Sequence, residues 1–288
     1  MLKKRVVAVL VVKNGIVVQS IGFKKYLPVG KPAIAIEFLN QWGIDEIALL
    51  DITARKKGAL PDFEMIKHAA KKGFVPLTVG GGITKVDDIK ELMHCGADKI
   101  SLNSTAITHP ELVTEAALLF GNQCVVVSID AVKTTEGYRV YDYLNKTTLA
   151  LNPSAFAKNL EARGAGEILI NSVDRDGSYK GFDTELIASV CDVVTIPVIC
   201  CGGAKNANDF VKVFSETHAS AAAAANFFHF TEHSVNQTKA NILNQLPVRL
   251  ETHADYKDSA FNEHYRLLKK EDKVLEEMLY VKIEKETI

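Results

Sequence analysis

The sequence predicts an α/β fold, a closed (βα)8 barrel, and three features carry that prediction. Short apolar, β-branched runs alternate with longer amphipathic spans; several of those spans end in a glycine; and the second half of the chain echoes the first. Val75-Pro76-Leu77-Thr78-Val79-Gly80-Gly81-Gly82-Ile83 returns as Ile196-Pro197-Val198-Ile199-Cys200-Cys201-Gly202-Gly203-Ala204. Leu49-Leu50-Asp51-Ile52-Thr53 is answered by Asn171-Ser172-Val173-Asp174-Arg175-Asp176-Gly177. The offset is about 120 residues, so each half carries four strand-helix units. Such halves close on each other to give one domain; a doubly wound open sheet is the lesser alternative.

Taken in order, strand-like runs fall at Arg5–Val12, Glu46–Asp51, Val75–Val79, Lys99–Asn103, Cys124–Asp130, Glu167–Asn171, Ile196–Cys201 and Ala219–Ala225. They are nearly all apolar, as strands are when a parallel sheet is covered on its outer face. Helical spans lie between them at Pro32–Trp42, Asp62–Lys72, Lys85–His94, Pro110–Phe120, Pro153–Arg163, Thr184–Cys191 and Ala207–Thr217. Trp42-Gly43, Lys72-Gly73, Cys95-Gly96 and Arg163-Gly164 are C-terminal stop signals. Ser20–Lys31, with Gly22, Pro28 and Gly30, reads as a mobile lid. The barrel is expected to occupy residues 1–250. Beyond it, Glu251–Ile288 is densely charged, and Phe261, Tyr265, Leu268, Leu275, Met278 and Leu279 form an apolar stripe at helical spacing. The stripe reads as a helical extension packed on the chain's own surface, or as a docking helix for another protein.

Composition narrows the function. Lys and Arg number 34 against 35 Asp and Glu, with no basic tract interleaved with aromatics, which disfavours nucleic acid as a partner. The start is basic and then apolar, but the run is only a strand long and meets no small-residue cleavage site, so no leader is expected. No stretch reaches the roughly 20 apolar residues of a membrane helix. Five cysteines without a Cys-x-x-Cys pair suit a reducing cytoplasm, and the adjacency of Cys200 and Cys201 disfavours a disulfide between them.

In a barrel of this kind the chemistry sits at the C-terminal ends of the strands. Gly80-Gly81-Gly82 and Gly202-Gly203 bring bare backbone to those ends, with the next helix N-terminus expected to face the ligand. A tight turn explains one such pair; the same device half a barrel apart predicts two phosphate sites, completed by Asn103-Ser104 and by Ala224-Ala225-Asn226. The implied ligand is a small molecule with two phosphates and its reacting atoms between them. Asp130 ends the fifth strand, and at the repeat offset the first half carries Val11 instead. His229 and His233 have zinc-like spacing but no third ligand, so no metal and no cofactor are expected. Cys201 reads as a serine-sized filler of the pocket, with a nucleophile as the alternative.

Asp51-Ile52-Thr53-Ala54, Thr78-Val79-Gly80-Gly81-Gly82-Ile83, Gly96-Ala97-Asp98-Lys99-Ile100-Ser101, Gly121-Asn122-Gln123-Cys124-Val125-Val126-Val127, Ser172-Val173-Asp174-Arg175-Asp176-Gly177, Gly202-Gly203-Ala204 and Phe227-Phe228-His229-Phe230 resemble the cyclase subunit of imidazole glycerol phosphate synthase (HisF). The resemblance spans about Met1–Leu250. It implies a barrel partnered with a glutaminase (HisH-like), whose ammonia crosses the barrel core to a bisphosphate at the top. It also implies general acid and base aspartates at the ends of strands one and five. Asp130 matches the second, whereas Val11 stands at the first, and an isopropyl group moves no proton. Asp51 or Asp176 as a substitute acid is the alternative. By resemblance, Asp176 and Gly177 join the substrate-binding set. Gln19, Asn171, Cys201 and Ala225 depart from the family's usual lysine, threonine, serine and serine, all on the substrate face.

At the opposite face, Arg5, Glu46, Lys99 and Glu167 begin strands one, two, four and six and match the family's ammonia gate. An ion-paired plug of the barrel floor satisfies the same charges. Asp98 would then meet the glutaminase. A kept entrance with a lost acid, together with Lys25-Tyr26-Leu27-Pro28-Val29-Gly30 and Phe38-Leu39-Asn40-Gln41-Trp42-Gly43-Ile44-Asp45-Glu46-Ile47, resembles the glycosyl-amidation-associated WbuZ-type branch. That branch implies a sugar amidotransferase as a further partner and surface-polysaccharide synthesis as the pathway. The alternatives are a genuine histidine-pathway cyclase and a non-catalytic scaffold that binds a phosphorylated metabolite and activates the glutaminase.

Overall fold

The computed structural model describes residues 3–229 and 233–249, with residues 256, 259–263, 265, 267–271, 273 and 274. Its centre is a closed barrel of parallel strands: β1 (Arg5–Lys13), β2 (Glu46–Asp51), β3 (Leu77–Gly80), β4 (Lys99–Leu102), β5 (Val125–Thr134), β6 (Glu167–Ser172), β7 (Val198–Cys201) and β8 (Ala221–Ala224). Each pairs with the next, and β8 closes on β1 with Arg5 opposite Ala221. Helices connect the strands on the outside. This is the (βα)8 architecture that the alternating pattern predicts.

Alternation along β1 shows how the sequence builds two cores. Val6, Ala8, Leu10 and Val12 join the shell between sheet and helices. Val7 and Val9 turn inward with Ala48, Val126, Leu169, Ile199, Ala221 and Ala223, and Val11 packs on the same inner cluster. Because side chains alternate with period two, Arg5 and Val11 share the inner face, as the sequence predicts. Of four consecutive alanines in β8, all buried, Ala221 and Ala223 face the inner cluster and keep long side chains out of it.

Two hairpins rise above the barrel rim. After Lys13 the chain reverses through Asn14 and Gly15, both at positive φ (52° and 77°), and returns as Ile16–Ile21 with Val11 opposite Val18. Two positive φ values make the turn whose twist suits a two-residue hairpin. Lys25–Gly30 then pairs back on Ile16–Ile21, so the segment expected to be a lid is ordered β-structure. In the second half, β5 overruns the barrel and pairs antiparallel with Gly137–Asp142.

The helix Ser234–Leu243 follows β8 and packs against the helix Ala207–Glu216. Its Lys239 is fully buried and donates to Asp45 Oδ1 at 2.5 Å and to the Gly43 carbonyl at 2.6 Å. Lys4 then bridges to Val248. His233 stacks on Trp42 with ring centroids 6.0 Å apart and bonds to the Tyr256 hydroxyl at 3.0 Å. The predicted helical stripe divides. Phe261 and Leu267 form an antiparallel bridge and Tyr265 has φ 58°, so this part doubles back instead of presenting one helical face. Leu275, Met278 and Leu279 lie outside the described residues. No helix among the described residues is long and apolar enough to cross a membrane.

Candidate functional site

A cavity of about 140 Å³ opens at the C-terminal ends of the strands. Asp130 reaches it from β5. The Asn103 amide, following β4, donates to Asp130 Oδ2 at 3.0 Å and also to the Ser128 carbonyl at 3.0 Å. Asn171, directly across on β6, donates to Oδ1 at 3.0 Å. Asp130 is only 7% exposed. Burial pushes it up to about 6, partly opposed by the two amide donors and helped by the charge of Asp176. Val11 lines the same cavity from β1, beside Val9, Leu50 and Leu169. The wall facing the acid from the first strand is therefore hydrocarbon.

Two further carboxylates line this cavity, and both are engaged. Asp51 Oδ1 accepts from the backbone N–H of Thr53 (2.7 Å) and Ala54 (3.3 Å), closing the turn after β2. Asp176 Oδ2 accepts from the Ser20 hydroxyl (2.7 Å) and the Phe23 N–H (3.2 Å), while its carbonyl accepts from Gly22 N–H. Burial raises Asp176 above the ordinary carboxylate range, with those donors opposing the shift. Asn226 bonds the Ser20 backbone at both N–H and C=O, and Gln19 donates to the Tyr179 hydroxyl at 3.2 Å. The first hairpin is thus latched over the ends of β6 and β8. Phe23 at its tip meets Tyr143 and Tyr141 of the second hairpin edge-on, with centroids 6.0 and 6.4 Å apart.

The glycine loops have a backbone reason for their composition. Gly81 (φ 109°) would place a Cβ 2.1 Å from the Asp51 carbonyl, and Gly203 (φ 100°) one 2.2 Å from the Gly181 carbonyl. Gly80, Gly81, Gly82, Asn103 and Ser104 all line the larger cavity. Gly177, Gly202, Gly203 and Ala224 line a smaller one of about 30 Å³, and Asp176, Cys201 and Ala225 border both. The two predicted clusters therefore sit at two ends of one recess. At the starts of the helices that follow, Asp88 accepts from the N–H groups of Thr84 and Lys85, and Asp209 from those of Lys205 and Asn206, the residues just ahead of each helix.

Sequence reasoning missed Arg55, Phe23, Tyr26 and Tyr143, which also line the larger cavity. Arg55 had a signal: it opens a basic triplet, Arg55-Lys56-Lys57, directly after the strand-end Asp51-Ile52-Thr53-Ala54. Cys201 is half-buried at the rim, and desolvation pushes its thiol up to about 12, which suits a filler and not a nucleophile.

At the opposite end, four charges close the barrel floor. Arg5 bonds Glu46 at 2.6 Å and also Glu167, and Lys99 reaches Glu46 at 3.0 Å and Glu167 at 2.8 Å. Thr78 donates a further bond to Glu46 at 2.9 Å. Both carboxylates are buried, so desolvation is offset only because each meets two cations. Between this ring and the cavity lies the inner cluster of Val7, Val9, Ala48, Val126, Leu169, Ile199, Ala221 and Ala223. Asp98 lies exposed on this lower side, with one oxygen held by the Leu77 N–H at 2.8 Å. Asp45 does the same for Val6 at 2.8 Å. That shared role is a pin between neighbouring strands.

The comparisons with known proteins agree with this architecture. Residues 5–234 match the family model described as Histidine biosynthesis protein. A putative imidazole glycerol phosphate synthase subunit hisF2 of Vibrio vulnificus is 43% identical over 259 residues, covering 90% of this chain and 95% of the relative. Imidazole glycerol phosphate synthase subunit HisF of Natranaerobius thermophilus is 42% identical over 250 residues, covering 87% and 99%. The HisF subunit of Clostridium botulinum is 42% identical over 241 residues, covering 83% and 95%. A barrel with its recess at the strand ends, its glycine loops in both halves and these relatives along nearly its whole length together show that the chain belongs to the histidine biosynthesis protein family, as a HisF-type imidazole glycerol phosphate synthase subunit.

Proposed function

We propose that this HisF-type subunit receives ammonia from a glutaminase partner at the Arg5, Glu46, Lys99 and Glu167 end and delivers it to a phosphorylated acceptor held above Asp130. The acceptor is a sugar of surface-polysaccharide synthesis, passed on with a sugar amidotransferase, and not the cyclase substrate of histidine biosynthesis. One observation carries the reading: Asp130 faces Val11, with no second acid at the end of β1. Ammonia addition to a carbonyl and loss of water is proton-neutral overall. A single carboxyl near neutrality takes the proton from the attacking nitrogen and returns it to the departing oxygen. Ring closure asks for a base and an acid at once, and losing one such group costs on the order of 10²–10⁴ in rate. Asn103 and Asn171 hold the Asp130 carboxylate in line for that shuttle. In this reading Gly80–Gly82 with Asn103 and Ser104 take one phosphate, and Gly177, Gly202, Gly203, Ala224 and Ala225 the other end of the ligand.

The names of the relatives favour a second reading, a cyclase in histidine biosynthesis. It requires Asp51 or Asp176 to serve as the second acid, although both are occupied by hydrogen bonds within the chain. Nitrogen-15 glutamine separates the two. With a glutaminase partner, this chain and the family's bisphosphate, our reading predicts labelled ammonia and unconverted bisphosphate; label in an imidazole product would establish the second.

A further inference from the structure

The two ends of the recess are related by the internal repeat, yet only one carries a cation. Arg55 lines the end formed by Gly80–Gly82 and Ser104 and is the one lysine or arginine among the described residues lining the larger cavity. The smaller cavity at Gly202 and Gly203 has none among the described residues. Arg55 is half-buried, and its guanidinium has no hydrogen-bond or ion-pair partner among the described residues. Arginines that shed water are ordinarily matched to a carboxylate or phosphate.

Its position is fixed by backbone. Arg55–Lys57 is a single 3-10 turn, closed by Gly58 at φ 62° and by the Gly58 N–H to Arg55 carbonyl bond. The loop that carries it is pressed onto the glycine cradle: a Cβ on Gly82 would lie 3.0 Å from Ala54 Cβ and 3.1 Å from Ala59 O and Pro61 N. Lys57 is drawn off to Asn14 Oδ1 at 3.0 Å, which leaves Arg55 as the member of the triplet that lines the cavity. The cradle offers backbone N–H groups for one phosphoryl group, and the arginine lining the same cavity adds a forked set of donors that suits a second.

We infer that Arg55 makes this end of the recess specific for a diphosphate, so that the acceptor binds in one orientation with its pyrophosphoryl group at Arg55 and its less charged end at Gly202 and Gly203. The inference rests on the reading of the recess as a site for a phosphorylated acceptor. It deepens that reading by naming the polarity of the ligand and the residue that sets it.

The test is calorimetric titration of the full chain with inorganic pyrophosphate and inorganic phosphate, free of divalent cations, for the unmodified protein, Arg55→Gln and Arg55→Lys. The unmodified protein is expected to bind pyrophosphate more tightly than phosphate. Arg55→Gln should weaken pyrophosphate by roughly ten- to hundred-fold while changing phosphate less than about three-fold, and Arg55→Lys should fall between. Equal weakening of both anions would put one phosphoryl group under loop and arginine together and overturn the diphosphate assignment alone. Unchanged binding of both in Arg55→Gln would remove Arg55 from the site. Failure of the unmodified protein to bind either anion would overturn this inference and the phosphorylated-acceptor reading with it.

Discussion

Asn171 stands opposite Asp130 on the neighbouring strand, and its amide donates to the Asp130 carboxylate at 3.0 Å. Parallel pairing of β5 and β6 thus sets the orientation of the acid that lines the recess with Val11. The pairing also makes the acid's ionisation a property of the fold.

Asp130 carries its raised pKa at a cost in stability. A carboxyl lifted from 3.8 to about 6 by burial favours the fold when protonated. That contribution is fully present below about pH 4 and is lost as pH rises through about 6. Asp130→Asn does not titrate, so its stability relative to the unmodified chain should rise by about 2 kcal/mol between pH 4 and pH 7. Urea denaturation of both proteins at the two pH values measures the difference; a constant difference would show that Asp130 is not held in a desolvated site.

Asp176 latches the first hairpin through the Ser20 hydroxyl and the Phe23 N–H. Asp176→Ala should speed hydrogen exchange of the Phe23 amide roughly ten-fold, the size of one charge-assisted bond. Amides of β3, remote from the latch, should not change. Equal speeding at both places would mean global destabilisation instead.

Glycine at position 81 answers to a neighbouring carbonyl and glycine at 137 only to its own dihedral angle. Gly81→Ala brings a Cβ to 2.1 Å from Asp51 O, whereas Gly137→Ala at φ 100° meets nothing within 4 Å. Gly137→Ala should cost about 1–2 kcal/mol and Gly81→Ala more than about 3 kcal/mol, read from denaturation midpoints. Similar losses would show that the backbone after β3 relaxes freely.

Arg5 ties together Glu46 and Glu167 at the barrel floor, and Lys99 does the same from the other side. If the ring meters ammonia, Arg5→Leu should change the ratio of glutamine-dependent to ammonium-dependent amination several-fold, measured with the glutaminase present. If it is a structural plug, thermal stability falls and the ratio stays constant.

Much of this was legible in the sequence because apolar runs of strand length have few other uses. The inward alternation of Arg5 and Val11, the pairing of glycine loops and the contrast of Asp130 with Val11 at the repeat offset all follow from period and repeat. The helix Ser234–Leu243 escaped because its buried residues include Asn236, Thr238, Lys239 and Asn241, so no apolar stripe marks it. The first hairpin was readable from Asn14-Gly15 but was masked by the glycines and proline that followed. Arg55 could not be assigned to the cavity from its neighbours in sequence, since its aim depends on packing of residues 54–61 against Gly82.

In the function proposed above, cyclase chemistry was lost at the end of β1, at Val11, while the recess was kept. That loss is tested most directly by turnover of the family's bisphosphate with ammonium salt supplied in place of a glutaminase, comparing the unmodified chain with Val11→Asp. The account predicts negligible imidazole formation by the unmodified chain and a gain on the order of 10²-fold or more in Val11→Asp, the usual contribution of a positioned acid or base. Turnover by the unmodified chain at ordinary enzyme rates, on the order of 1 s⁻¹ or faster, would contradict it and make Asp130 with Asp51 or Asp176 a working cyclase pair.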